Sequence, residues 1–550
     1  MAAWLGSILA GGSAFDDVEG VFRNPLVNGT RPLWAAFLYD YWHHLGDAGH
    51  YRPVAVLSLA LDQRLFGAEP RGFHTTSVLL HAAVVFFAAA FARLALSPRA
   101  AWAACLGLVV FAIHPAQADS VAWISGRSSP LSLLPGVFFG WWYVAHGRQR
   151  ALSAFWCALG AILLGALAKE DGVFGSVLVL LVASRAGSRP RLAAVSGLVL
   201  GLAVYLGLRY VALGSALPFA PHAPLAGAAL DARLAAAGGA LAAAARCLVW
   251  PLDLAPAWRA ASWPSQLTQP TALLGWGLWL ATLLVAFGLR TRQRAVALSL
   301  ALSALVWVPV QQWLPAGEIF APRFLYQPLF FLALPLGAGL LMVWRRVPPK
   351  WTARALLTLG LGLLLLLPMD WRAAGTYSSL HAYETATLAR FPDDAKAWNG
   401  LGLAEEERAN VTGARNAYRQ AIVLDPTYGR PHSNLGRLEL AAGRTAAARA
   451  HFEAAVELGP GNPIAWCNLG SLELRADAPE SARAAYTRAT LLAPGSLVAW
   501  RGLARAEWAR GEPLAAREAL DRALRLDPKD PASRTLDASF EQAQVPVEGP

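Results

Sequence analysis

Apolar positions follow two rhythms along this chain. From about residue 74 to residue 369 they form long, nearly uncharged runs, broken by short basic or polar stretches. After Asp370-Trp371 they recur at helical spacing among mixed charges. A helix needs about 20 apolar residues, roughly 17–25, to cross the hydrocarbon core of a bilayer. Runs near 74–95, 99–118, 129–146, 191–211, 271–289, 294–313, 323–344 and 353–369 meet that length. The stretch 151–185 predicts two short spans hinged at Ala168-Lys169-Glu170-Asp171. Met1 to Ala14 is apolar but short and has no basic leader; it reads as the tail of a truncated or unusually short first helix. Together these give about 11 expected spans. The stretch 234–250, bracketed by Arg233 and Arg246, is expected to be re-entrant or interfacial. A polar loop, 15–73, separates the first fragment from the first complete span.

The second rhythm has a period of 34 residues. Trp398, Leu401, Gly402, Ala414, Tyr418, Ala421 and Pro426 recur as His432, Leu435, Gly436, Ala448, Phe452, Ala455 and Pro460. They recur again as Trp466, Leu469, Gly470, Ala482, Tyr486, Ala489 and Pro494, then as Trp500, Leu503, Ala504, Ala516, Leu520, Ala523 and Pro528. This is the tetratricopeptide (TPR) pattern of paired helices: small residues allow close approach, aromatics fill the gap and proline ends the second helix. The chain is therefore expected to be all-α, a polytopic membrane domain over 1–370 followed by an α-solenoid. A joining half-repeat takes 371–394, four repeats starting at 395, 429, 463 and 497 take 395–530, and a capping helix with a tail takes 531–550. The groove of such an array commonly holds an extended peptide or another protein.

Composition sharpens this picture. Only 15% of residues are charged, against about 25% for a soluble globular chain. Mean hydropathy is +0.39. Lysine occurs only at 169, 350, 396 and 529, so the net charge of +11 is an arginine charge. Much of it lies in clusters between apolar runs: Arg93/Arg99, Arg148/Arg150, Arg185/Arg189/Arg191, Arg290/Arg292/Arg294 and Arg345/Arg346/Lys350. That placement suits membrane orientation rather than nucleic-acid binding. With every cluster in the cytoplasm, the 15–73 loop, the 119–128 loop, the Lys169 turn, the segment 212–270, the 314–322 loop and the TPR array all face outward. The N-terminus is then cytoplasmic, and the compartment expected is a bacterial inner membrane. A site at the outer leaflet follows, which disfavours a transporter with its site at the midplane. The four cysteines, Cys105, Cys157, Cys247 and Cys467, have neither disulfide nor zinc spacing.

Candidate chemistry gathers in those outward segments. Asp16-Asp17 stands where the chain leaves the first apolar fragment, a costly place for two carboxylates without a task or partner. Further along come Arg52, His74, His114, Asp119, Arg127, Lys169-Glu170, Glu318, Arg323 and Tyr326. His74, His81 and His114 show no HxxxH or HxH spacing, so no metal site is assigned. The segments FDD at 15–17, YRPV at 51–54, LFGAEPRGFH at 65–74, LLHA at 79–82, FAIHPAQADSVAWISGR at 111–127, AKEDG at 168–172 and RFLYQP at 323–328 form an ordered set. In that order, and with the repeats behind it, the set resembles the transmembrane and TPR repeat-containing (TMTC-like) O-mannosyltransferases and their bacterial relatives, glycosyltransferases of the GT-C class. Two positions depart from the family: Pro322 stands where an acidic residue usually precedes the late arginine, and the first helix is short.

The resemblance implies transfer of mannose or another hexose from a polyprenyl-phosphate donor to a protein hydroxyl on the extracytoplasmic side, with the TPR array recruiting a protein or peptide acceptor. It assigns catalysis to Asp16 or Asp17 and the donor phosphate to Arg127, Lys169 and Arg323. Arg52, His74, His114, Asp119, Glu170, Glu318 and Tyr326 are supporting candidates. No cofactor is required, and dependence on a divalent metal is left open. Two alternatives stand beside this expectation: a polysaccharide or lipid glycosyltransferase, and a non-catalytic membrane scaffold whose active part is the TPR array.

Overall fold

The computed structural model describes residues 17–41, 49–147, 150–216, 227–251, 254–258, 263–307 and 319–544, with Trp4, Ile8 and Leu225. Helices are the only regular elements among the described residues. The chain forms two compact units that divide between Phe391 and Pro392.

The first unit contains α1 (Pro53–Phe66), α2 (Pro70–Ala95), α3 (Pro98–Ile113), α4 (Ser128–Trp142), α5 (Ala151–Ala168), α6 (Val177–Ala186), α7 (Ser188–Leu213), α8 (Leu230–Val249), α9 (Pro270–Leu289), α10 (Arg294–Leu305), α11 (Tyr326–Trp344), α12 (Thr352–Gly375) and α13 (Leu380–Arg390). Proline opens α1, α2, α3 and α9, where its missing N–H breaks no helical bond. Seven helical segments among the described residues are long and apolar enough to cross a membrane: α2, α5, α7, α8, α9, and α11 and α12 with the 3₁₀ turns before them. Counting α3 with the bent segment Pro115–Val121 gives eight. The expected number of about 11 is thus higher than the helices long enough to span. The difference lies partly in α4, which yields to a π-turn at Tyr143, and in α10, which has 12 residues. The stretch expected to be re-entrant is the continuous 20-residue α8. Its arginines sit near its two ends, where long side chains can reach headgroups while their stems stay apolar. Leucines 356, 357, 361, 364 and 365 of α12 are all exposed, a face that needs lipid rather than water.

Small residues set the packing. An added Cβ at Gly107 of α3 would strike the Ala333 carbonyl of α11, and one at Gly337 of α11 would strike the Ala103 carbonyl of α3. Gly136 and Gly175 touch backbone to backbone, as do Gly238 and Gly275. Close approach of this kind replaces the hydrophobic drive that hydrocarbon solvent removes. The 15–73 segment also differs from a plain polar loop. It carries α1, and Val21, Leu26, Val27, Ala35, Ala36 and Tyr41 join Val56, Leu59, Phe73 and Ile124 in a small core. Asn24 fastens it, donating to the Gly20 and Tyr41 carbonyls at 3.1 and 2.9 Å and accepting from Leu26 N–H.

The second unit stacks helix pairs Ala395–Glu407/Val411–Leu424, Gly429–Ala441/Thr445–Leu458, Pro463–Arg475/Pro479–Leu492 and Leu497–Ala509/Pro513–Leu526, ending in Pro531–Gln544. Gly402, Gly436 and Gly470 lie flat against Tyr418, Phe452 and Tyr486, leaving no room for a Cβ. Trp398, Trp466 and Trp500 each donate their indole N–H to the proline carbonyl six residues before, at 2.7–2.9 Å. Arg415 pairs with Glu439 at 3.0 Å, and Arg449, one repeat on, pairs with Glu473.

Candidate functional site

Asp16 and Glu318 lie outside the described residues. Asp17 is fully buried. Its Oδ1 accepts from Ser125 N–H at 3.0 Å and Ser125 Oγ–H at 2.7 Å. This fastens the head of the loop to the turn Ser125–Arg127. On the other side of that turn, Gly126 packs so tightly on the Asp119 carbonyl that no Cβ fits. Asp119 is also buried, and its Oδ2 accepts from Arg323 N–H at 2.9 Å and Arg323 Nη1 at 3.4 Å. One turn therefore connects the two carboxylates and, through Asp119, the late arginine.

Arg127 faces inward. Its Nη1 donates to Asp62 of α1 at 2.5 Å and its Nη2 to the Phe73 carbonyl at 2.7 Å. Asp62 in turn accepts from Thr76 of α2. Arg127 and Asp62 are both almost completely excluded from solvent. This geometry makes Arg127 a clamp between α1, α2 and the Ser125 turn. Its charge is matched inside the protein.

The remaining cations gather elsewhere. Arg52, at the start of α1, donates to Glu170 Oε2 at 3.2 Å, and Arg209 of α7 lies 3.7 Å from Oε1 of the same carboxylate. Arg209 also donates to the Gly49 carbonyl at 2.8 Å. Lys169 donates to Ser129 Oγ at 3.1 Å and pairs with Asp171 at 3.0 Å. Arg323 stands over the Trp123 and Phe324 rings, and Lys169 faces Phe324 from 5.9 Å. His50, in the loop just before Arg52, shows how these groups converge. Its burial first, then the charge of Arg52, with further repulsion from Arg323 and Arg209, outweigh the attraction of Glu170 and hold it near a pKa of about 3. It is therefore neutral.

This second cluster keeps an accessible edge. The side chains of Arg52, Glu170 and Arg323 retain 20–24% exposure, against 1% for Arg209 and none for Arg127. Arg52 Nε, Arg209 Nε, Asp171 Oδ1 and Gln327 Oε1 are buried without a hydrogen-bond partner among the described residues. Such atoms each cost about 1–3 kcal/mol when left unmet. The other described candidates lie within the helix packing. His81 and Tyr326 share a 2.8 Å hydrogen bond between α2 and α11. His114 accepts from Ala116 N–H and donates to the Leu248 carbonyl, which caps the break after α3. His74 is buried on the first turns of α2. Arg209 escaped the sequence reading, although an arginine separated by 17 uncharged residues from the Arg189/Arg191 pair at the start of the same helix is itself a signal.

These features define a multi-pass, all-helical membrane protein that carries a TPR solenoid. Tetratricopeptide repeat models match residues 375–428, 433–496 and 497–540. Its homologues are the TMTC proteins. The mouse protein O-mannosyl-transferase TMTC3 is 25% identical over 477 residues, covering 78% of this chain and 50% of its own. Human TMTC3 is 24% identical over 472 residues with the same coverage, and human TMTC4 is 30% identical over 192 residues, 30% of this chain and 25% of its own. The chain spans about half the length of the TMTC3 relatives it matches. Among solved structures, a thermophilic TPR protein of Thermus thermophilus is 21% identical, covering 33% of this chain and 96% of its own with a TM-score of 0.27.

Proposed function

We infer that this protein is a membrane glycosyltransferase of the GT-C type that moves mannose or another hexose from a polyprenyl-phosphate donor to a protein hydroxyl on the extracytoplasmic side. The observation that carries the reading is the cationic cluster of Arg52, Lys169, Arg209 and Arg323, with an accessible edge at Arg52 and Arg323, connected through Asp119 and the Ser125 turn to Asp17. The names of the homologues supply the class of reaction. In the transfer, the acceptor oxygen attacks the anomeric carbon as the sugar–phosphate C–O bond breaks. The electron pair leaves with the polyprenyl phosphate, and the acceptor's proton passes to the carboxylate of the Asp16-Asp17 pair. Such general-base help is worth about 10²–10⁴-fold. Arg52 and Arg323 meet the leaving phosphate as charge-assisted donors, and the TPR array recruits the acceptor. The orientation follows from placing the clusters Arg93/Arg99, Arg185/Arg189/Arg191, Arg290/Arg292/Arg294 and Arg345/Arg346/Lys350 in the cytoplasm.

The test is glycoproteomics of the extracytoplasmic fraction from wild type, a deletion strain and the deletion complemented with Asp16→Asn/Asp17→Asn. A hexose on Ser or Thr should vanish in the deletion and stay absent with the variant. Full restoration by the variant would remove the carboxylate pair from catalysis. Unchanged glycosylation in every strain would remove protein as the acceptor.

A further inference from the structure

The far end of the helical bundle carries a feature that sugar transfer does not use. An apolar cleft of about 110 Å³, several times what a water molecule requires, opens between α2, α3, α6, α10 and α11. Ala92, Ala95, Leu181, Leu298 and Leu334 line it, and Arg185 stands at its edge. The cleft runs along the C-terminal half of α2, along α6 and along α10, and reaches Phe330 and Phe331 of α11; Phe73 and Lys169 are not in its lining. Arg185 donates once to the Ala95 carbonyl at 3.0 Å and is otherwise exposed. Arg93, Arg99 and Arg294 stand exposed on the adjoining helix ends. Among the described residues none of these four arginines pairs with a carboxylate. The sequence holds no Asp or Glu at all from 70 to 118, from 172 to 230 or from 254 to 317.

An apolar slot with Arg185 in its lining and three more exposed arginines on the adjoining helix ends fits an amphiphile with a negative head. Basic pockets between membrane helices bind anionic headgroups on these terms. We propose that this cleft is a seat for one anionic phospholipid, an acyl chain between α2, α6 and α10 and the headgroup phosphate at Arg185. The chain fills the slot between α2 and α10, and the headgroup holds together helix ends that otherwise repel one another.

The test is native mass spectrometry and thermal melting of the full-length protein in neutral detergent. Phosphatidylglycerol and phosphatidylcholine of identical chains are titrated in, with glycerol phosphate as a chain-free control. Phosphatidylglycerol should bind tighter and raise Tm, and glycerol phosphate should do neither. Arg185→Gln should weaken phosphatidylglycerol about fivefold, the worth of one cation near a headgroup. Ala95→Trp, which blocks the slot, should abolish the tight binding of phosphatidylglycerol. Equal affinity of wild type for the two lipids, or binding of glycerol phosphate as tight as that of the lipid, overturns the proposal without reference to any variant. Tight binding that survives Ala95→Trp places the lipid outside the cleft and overturns it as well.

Discussion

At the scale of single residues, burial decides which charges hold the protein together and which are free to act. Arg127 and Asp62 form an ion pair almost completely excluded from solvent. Removing one partner of such a pair costs about 3–5 kcal/mol, because the other charge is left buried, whereas replacing both with apolar residues is often neutral. Asp62→Asn or Arg127→Met alone should therefore sharply lower the thermal stability of the purified protein. The double variant should recover most of it, and additive losses would show that the two do not act as a pair. In the repeats, His432 and His451 approach Nδ1 to Nδ1 at 3.1 Å. Burial, and for His432 the charge of His451, hold their pKa values below the ordinary one. A histidine with a lowered folded pKa adds stability that is whole above about 6.5, the unfolded value, and is lost as pH falls below it. Urea midpoints of the TPR unit should thus fall from about pH 7 to pH 5, in the range where free histidine titrates. His432→Leu should flatten that slope. A slope unchanged in the variant would assign it to other groups. Glu439, held low first by its bond with Arg444 and further by Arg415, adds a separate loss below the ordinary carboxylate range.

At the scale of elements, what the sequence reveals depends on whether a signal repeats. The 34-residue period marks every TPR helix pair, because each copy solves the same packing problem with the same residues. The hinge after Ala168 was legible too, since charges at 169–171 interrupt an apolar run and the helix does end there. Span number was not, because run length ignores breaks such as the π-turn after α4 and the bend after Ile113. The Arg127–Asp62 pair was invisible because its partners are 65 positions apart. The glycine seams were equally hidden: Gly107 and Gly337 look like any other glycine in an apolar run, and only the fold brings each against a carbonyl. This gives a sharp contrast within one helix. Gly337→Leu should drive α11 off α3, with an overpacking cost of about 1–3 kcal/mol or more. Gly339→Leu, which meets open space, should leave stability nearly unchanged. Comparable melting temperatures for the two variants would mean that the seam does not hold the helices.

At the scale of the whole molecule, the two compact units carry different parts of the proposed reaction. Every cation of the cluster and the carboxylates Asp17, Asp119, Glu170 and Asp171 belong to the unit that ends at Phe391. The repeats contribute none of these groups. Their ladder of tryptophan–proline bonds and arginine–glutamate pairs is internal to the array. Chemistry and acceptor selection should therefore separate. A chain stopped after Phe391 should still insert in the membrane and hydrolyse or transfer sugar to a simple hydroxyl acceptor at a rate near that of the full chain. Modification of protein acceptors should fall at least about tenfold, the loss expected when about 1.4 kcal/mol of acceptor binding is removed. Two assays on one membrane preparation decide it, donor turnover with a small alcohol and glycopeptide yield with the protein acceptor. If both fall together, the repeats are needed to form the cluster itself. If neither falls, the acceptor is chosen by the membrane unit, and the long 15–73 segment that carries α1 becomes the surface that selects it.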